Sequence, residues 1–174
     1  HVFKQKVFTT LGFGRTNNNI TEVIAPADNQ PKLTIQTNKN LTTVDVYALN
    51  ISVPIEVTKW WYTTNDINTY YALYTGNIAN TQISNIGNVN FNFNTVNTFN
   101  FTSTFSAELS GNYRARELYA FENVNPIWFV NIGLQTKFLS NRATVKVNAN
   151  DIFYSNRVKA TTNFTDYSET FNVN

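Results

Sequence analysis

The sequence predicts an all-β, antiparallel protein whose strands carry one apolar and one polar face. Between Val89 and Asn94, apolar residues and asparagines alternate at every position, and a period of two is typical of β-strands. Aromatic residues make up 15% of the chain, and with the frequent valine, isoleucine and threonine they favour pleated structure. The apolar residues show no helical period, and no apolar run is long enough to form a transmembrane helix.

Several segments in the first half of the chain show this alternation. It predicts a first strand from Phe3 to Gly14, which a polar segment from Arg15 to Lys32 follows. Further strands are predicted at Lys32–Thr37, Tyr47–Val57 and Trp60–Tyr74, with a tight turn at Thr58 and Lys59 and a loop from Gly76 to Gly87. Asparagine, glycine and proline in the connections favour turns.

The second half continues the pattern. The stretch from Asn88 to Tyr119 predicts a strand, a break near Val96–Thr98 and a further strand, and a loop follows around Glu122–Pro126. Strands are then predicted at Trp128–Phe138 and Ala143–Ala149, joined by a turn at Ser140 and Asn141, and the polar tail from Ser155 onward is predicted to be loop. In total the sequence predicts about eight strands.

The connections alternate between short and long, which is informative about the setting of the sheet. The turns near Thr58, Val96–Thr98 and Ser140 are short, whereas the connections at Arg15–Asn40, Gly76–Gly87, Arg116–Asn125 and after Ser155 are long. Short turns on one rim and long loops on the other are typical of outer-membrane barrels, whose apolar face contacts lipid and whose interior is polar. A soluble sandwich, which hides the apolar face under a second layer, is the alternative.

Aromatic residues gather near both kinds of connection, as interfacial girdles do in membrane barrels. Near the predicted short turns lie Trp60, Trp61, Phe99 and Phe138. Near the long loops lie Tyr71, Tyr74, Tyr119 and Trp128. This arrangement favours a transmembrane barrel over the sandwich.

The composition excludes several classes of chemistry. The chain contains no cysteine, and its one histidine is His1, so a Ser-His-Asp triad or a histidine metal site has almost nothing to build on. The formal charge of +2 is too small to indicate a nucleic-acid surface. The carboxylates, among them Glu108 and Glu117, are few and scattered. We therefore expect neither an enzyme nor a cofactor or metal site.

The ordered set of segments resembles a known family of membrane proteins. The runs Pro126–Leu139 and Ser140–Phe153 are similar to the C-terminal barrel strands of TonB-dependent outer-membrane receptors, in particular of the Bacteroidetes-type outer-membrane β-barrel family. The Trp60-Trp61 pair, the run Leu109–Tyr113 and the run Gly14–Ile20 resemble the same subgroup. The similarity extends over almost the whole chain in the expected order.

This resemblance implies that residues 1–174 are a partial barrel domain, with about eight of roughly 22 strands. It further implies that the plug domain, the energy-coupling box and the final strand are absent from this chain. The resemblance places the protein in the bacterial outer membrane, in contact with lipid, its own plug and the TonB–ExbB–ExbD system. The imported ligand (siderophore, cobalamin, glycan or peptide) stays open. The alternatives are a soluble carbohydrate-binding or adhesin sandwich and a scaffold or secretion barrel without transport.

Five polar residues are the candidates for a lumen-facing role. They are Glu108, Asn112, Arg114, Arg116 and Lys146, which lie on the polar parity of their predicted strands. Arg114 and Arg116 share the parity of Glu108, so we expect them to point into the lumen together. They are suited to attract an anionic ligand or contact a plug, and the alternative is solvation and cross-strand pairing.

Overall fold

The computed structural model describes residues 6–27, 30–78, 81–119, 122–163 and 168–173, and within them it contains eleven β-strands. The strands are β1 (Phe8–Ala27), β2 (Gln30–Thr58), β3 (Trp61–Ile78), β4 (Thr81–Asn100), β5 (Phe105–Arg114), β6 (Glu117–Tyr119), β7 (Glu122–Val124), β8 (Ile127–Phe138), β9 (Ala143–Ala149), β10 (Val158–Asn163) and β11 (Ser168–Val173). In the described part of the chain, no helix is long and apolar enough to cross a membrane.

Seven strands form one antiparallel sheet, in the order β1-β2-β3-β4-β5-β8-β9. The other four form a second sheet, in the order β11-β10-β7-β6. Strands β6 and β7 continue the hairpin of β5 and β8, and strand β10 pairs with β7 rather than with β8. The all-β antiparallel prediction is confirmed, and the chain runs up and down through neighbouring strands as in a barrel wall.

The strand register separates an apolar face from a polar face. Directly paired positions across five strands of the apolar face are Ile51, Ile67, Phe93, Tyr113 and Trp128. The adjacent row, on the polar face, contains Asn50, Asn68, Asn92 and Arg114. Because side chains alternate along each strand, the whole sheet inherits these two faces.

No second protein layer covers the apolar face in the described residues. The buried hydrophobic residues of the described part of the chain are only Ala72, Ile127 and Ala160, and Ala72 and Ile127 lie on the polar parity of their strands. On the apolar face, Leu11 is 79% exposed and Val145 is 45% exposed. A soluble sheet needs an apolar core, so the soluble sandwich is not the fold; a face of this kind is covered by lipid in membrane barrels.

The hairpins are staggered, as strands tilted against a barrel axis require. One row of paired residues runs from Trp61 through Phe99 to Leu134. Strand β3 starts at this row, whereas β8 continues past it to Phe138 before the turn of residues 139–142. The short turns therefore step down from one hairpin to the next.

Two aromatic girdles follow this stagger on the apolar face. The inner girdle, at the short turns, consists of Trp60, Trp61, Phe99, Phe101, Phe105 and Phe138, with ring centroids 5.5–6.5 Å apart among the first five. The outer girdle consists of Phe13, Tyr47, Tyr71, Tyr113 and Trp128. The span from Trp61 to Tyr71 is about 33 Å along the strand, which a barrel tilt reduces to about 25 Å, the height of the apolar band in outer-membrane barrels.

Two predicted girdle residues need comment. Tyr74 pairs with Val44 and Ile86 on the polar parity, so its assignment to the girdle beside Tyr71 was wrong. The two tyrosines are three positions apart in the sequence, and an odd separation places side chains on opposite faces of a regular strand. The side chain of Tyr119 lies outside the described residues.

The predicted break near Val96–Thr98 was wrong. Strand β4 continues to Asn100, and the turn comes at residues 101–104. Thr95 and Asn97 occupy the apolar parity, so the apolar alternation stops there while the backbone pairing continues. The predicted turn at Ser140 and Asn141 is confirmed, whereas the turn predicted at Thr58 and Lys59 lies one residue later, at residues 59–60.

The long connections are largely paired strands rather than irregular loops. Strands β1 and β2 stay paired up to Ala27 and Gln30, and β3 and β4 up to Ile78 and Thr81. The tail after Ser155, predicted as loop, contains β10 and β11. Sequence patterns missed these extensions because backbone hydrogen bonds hold a hairpin in water even where both faces are polar.

Candidate functional site

The polar face carries a hydrogen-bonded group of asparagines between β4 and β5. Asn112 Nδ2 donates to Asn92 Oδ1 at 3.0 Å and also to Asn94 Oδ1. Asn94 Nδ2 donates to Asn92 Oδ1 at 3.4 Å. Each amide has two N–H donors and a carbonyl acceptor, so the group keeps free hydrogen-bonding capacity. Asn112 thus lies on the polar face of the sheet, and its lumen-facing role stays a prediction.

A charged cluster lies at the outer end of the polar face. The hydroxyl of Tyr70 donates to Glu117 Oε1 at 2.5 Å, and Arg114 Nε lies 4.0 Å from Glu117 Oε2. Regular alternation would place Glu117 on the face opposite Arg114. Residues 115–116 lie outside β5 and β6, and this break brings Glu117 to the face of Tyr70. Sequence alternation did not predict this cluster.

Four of the five lumen-facing candidates lie on the polar face, namely Glu108, Asn112, Arg114 and Lys146. Arg114 belongs to the outer cluster, whereas Arg116 lies in the break between β5 and β6 and is exposed. The structure brings Glu117, rather than Arg116, next to Arg114.

Asn90 is the most deeply buried polar side chain of the described residues. It is 4% exposed, it pairs across the sheet with Tyr70, and neither atom of its amide has a hydrogen-bond partner there. A buried polar group without a partner costs about 1–3 kcal/mol. In the sequence Asn90 was one asparagine among many, and no signal distinguished it.

Glu108 and Lys146 line one hollow near the inner end of the polar face. Thr98, Ser106, Gln135 and Asn148 complete its polar lining. Gly133 keeps the hollow open, because a Cβ at this position would lie 3.0 Å from Asn148 Oδ1. The two ion pairs found in the described residues involve neither Glu108 nor Lys146, and both residues are exposed.

A chain of hydrogen-bonded polar side chains, here called the polar ladder, crosses the apolar face between β3 and β4. In the order of their hydrogen bonds its members are Trp61, Asn97, Thr95, Asn65 and Thr63. The Trp61 indole N–H donates to Asn97 Oδ1 at 3.1 Å, and the Thr95 hydroxyl donates to Asn65 Oδ1 at 2.8 Å. Thr63 is only 6% exposed. The ladder gives each polar group a partner, as an apolar environment requires.

An ion pair stands just beyond the outer girdle. Arg15 Nε and Nη2 donate to the two carboxylate oxygens of Asp45 at 2.6 and 2.7 Å. This bidentate hydrogen bonding holds the pKa of the Asp45 carboxyl below its usual value. The pair lies two positions farther from the short turns than Phe13 and Tyr47. It links β1 and β2 where their extended hairpin begins.

The site as a whole is equipped for binding. In the described part of the chain, no group of three or more histidine, cysteine, aspartate or glutamate residues could hold a metal ion. The polar face offers amides, hydroxyls and charges of both signs, which contact a ligand or a protein surface through hydrogen bonds and electrostatic attraction.

Comparison with known proteins identifies one family. The sequence model of the outer membrane protein beta-barrel family matches residues 1–174. No curated protein and no solved structure matches the chain.

Proposed function

The chain belongs to the outer membrane protein beta-barrel family and lies in the bacterial outer membrane, and from this premise we propose that it forms part of the wall of a TonB-dependent receptor. In this proposal the receptor imports a siderophore, cobalamin, glycan or peptide. Extracellular loops and a plug bind the ligand, and the TonB–ExbB–ExbD system supplies the energy for its passage.

The observation that carries this proposal is the pair of open edges of the seven-stranded sheet. Strands β1 and β9 lie at opposite edges and do not pair with each other in the described residues. Within hydrocarbon, an unpaired backbone group costs several kcal/mol, so both edges need further strands. A barrel of many more strands encloses a wide lumen, and in outer-membrane transporters of that size a plug fills it.

The charges of the polar face support a wide interior. Glu108 and Lys146 have no ion-pair partner among the described residues, and a closely packed interior would desolvate both at considerable cost. Water or the polar surface of a plug solvates them instead. In this proposal Glu108, Asn112, Arg114, Arg116 and Lys146 face the plug and the passing ligand, and the wall performs no bond chemistry.

The test is binding of the full-length protein that carries this chain to the periplasmic domain of TonB. The protein is purified in detergent and passed over immobilised TonB domain, with a variant lacking the coupling box as the control. Retention of the wild type and loss of the variant are expected. A reading frame without plug or coupling box, or equal retention of both proteins, would contradict the proposal and favour a scaffold barrel.

A further inference from the structure

A structured turn separates β9 from β10, and we call residues 151–156 the aromatic turn. Asp151 and Tyr154 have positive φ angles of 46° and 55°. The Asp151 carboxylate accepts hydrogen bonds from two backbone N–H groups of the turn, that of Ser155 at 2.9 Å and the next at 3.0 Å. The backbone N–H of Asp151 donates to Asn131 Oδ1 at 2.9 Å. These bonds fix the turn to the wall.

The aromatic turn places the Phe153 ring on the lipid-facing side of the wall, beside Trp128, and exposes a second ring at Tyr154. Phe153 is 61% exposed and Tyr154 is 70% exposed. The Phe153 ring lies 5.7 Å from Trp128, which belongs to the outer girdle. The Ser155 hydroxyl donates to the carbonyl of Trp128 at 2.7 Å. The turn therefore stands at the height where the bilayer core meets the head groups.

A cation lies directly beside the ring of Tyr154. The Arg157 guanidinium is 4.6 Å from the centroid of the Tyr154 ring, and within the described residues it makes no ion pair or side-chain hydrogen bond. The Asp151 carboxylate is close enough to interact with it electrostatically, but hydrogen bonds of the turn already occupy that carboxylate. The N–H groups of Arg157 therefore remain free for another anion.

We propose that the aromatic turn and Arg157 bind the phosphate group of a glycolipid in the outer leaflet. The short turns of outer-membrane barrels face the periplasm, so the outer girdle and the aromatic turn face the outer leaflet. A guanidinium stacked on an aromatic ring at head-group height is suited to a lipid phosphate. A soluble phosphate would leave Phe153 and Tyr154 uncovered, whereas a lipid covers the rings with its sugar and acyl parts.

The experiment measures lipid binding to the full-length protein that carries this chain. The protein is held in nonionic detergent, and purified diphosphoryl lipid A is titrated against it with native mass spectrometry as the readout. Arg157→Gln removes the proposed phosphate contact. Arg142→Gln is the matched control, because Arg142 is an exposed arginine at the short-turn rim on the opposite side of the membrane. A dephosphorylated lipid A forms the third arm.

Arg157→Gln is expected to weaken binding of the phosphorylated lipid about fivefold, the effect of one basic residue near a charged membrane surface. Arg142→Gln is expected to bind like the wild type, and the dephosphorylated lipid is expected not to distinguish the three proteins. Equal binding by Arg157→Gln and wild type, an equal loss in Arg142→Gln, or displacement of the lipid by millimolar inorganic phosphate would overturn the proposal. A scaffold barrel would give the same lipid result, so failure here leaves the test of TonB binding unaffected.

Discussion

Replacing Thr95 by valine is a direct test of the polar ladder. The Thr95 hydroxyl donates to Asn65 Oδ1 at 2.8 Å and accepts from Asn97 Nδ2 at 3.2 Å. Valine has the same shape but makes neither bond. Side-chain hydrogen bonds at membrane depth are worth about 0.6 kcal/mol each on average, so Thr95→Val is expected to lower the free energy of unfolding by about 1 kcal/mol. That loss corresponds to about a fivefold change in the unfolding equilibrium.

The assay is denaturant unfolding of the full-length protein in lipid vesicles, followed by tryptophan fluorescence. Thr136→Val is the matched control. Thr136 also lies on the apolar face, opposite Phe105 and Val145, and it is exposed, with no side-chain hydrogen bond in the described residues. Its replacement is expected to leave stability unchanged or slightly higher, because the lost hydroxyl faced lipid without a protein partner.

A double-mutant cycle with Asn65→Leu separates the hydrogen bond from the general effect of removing polar groups. If the two side chains are bonded as in the structure, the double variant loses less stability than the two single variants together. The expected coupling is about 0.5–1 kcal/mol. Strictly additive effects, or a Thr95→Val variant as stable as Thr136→Val, would refute the proposed hydrogen bonds of the polar ladder. They would also refute the explanation of how polar side chains can lie on the lipid-facing side of this part of the wall.

Three further outcomes are expected. Arg15→Gln should speed protease cleavage of the β1–β2 extension severalfold in limited proteolysis. In the wild type, the ion pair should protect this extension from cleavage down to a pH of about 3.9. Below that pH the protection should be lost as the pH falls through the lowered pKa of Asp45. Gly133→Val should cost about 1–3 kcal/mol in the same unfolding assay, because its Cβ would crowd Asn148, whereas unchanged stability would mean that the hollow yields. Asn90→Leu should raise stability by about 1–2 kcal/mol by removing an unpartnered buried amide, and a loss would show that the amide holds a bound partner.

The sequence predicts the two faces of the sheet well because alternation within a strand and register between strands both follow from one constraint. One face of the sheet has to be apolar in every strand. Phe93 and Trp128 belong to different strands, yet each lies on the apolar parity, and the register places both in one row. Thr95 and Asn97 show where this reasoning fails. Their polarity suggested a turn, but hydrogen bonds to other side chains satisfy them within a continuous strand. Such pairing depends on residues of neighbouring strands, and a period of two within one strand carries no information about those residues.

The clusters at the outer rim lie where the ladders of backbone hydrogen bonds break. The connections at residues 115–116, 125–126 and 150–157 interrupt neighbouring strands between the seven-stranded and the four-stranded sheet. Each break lets the chain change the direction of its side chains, and bulges at barrel rims commonly re-aim side chains in this way. The first break brings Glu117 to Tyr70 on the polar face, and the third presents Phe153 beside Trp128. Below these breaks the alternation has to match lipid on one face, whereas above them water contacts the strands and removes that constraint. The residues most able to recognise a ligand or a lipid therefore lie at the one level where alternation predicts least.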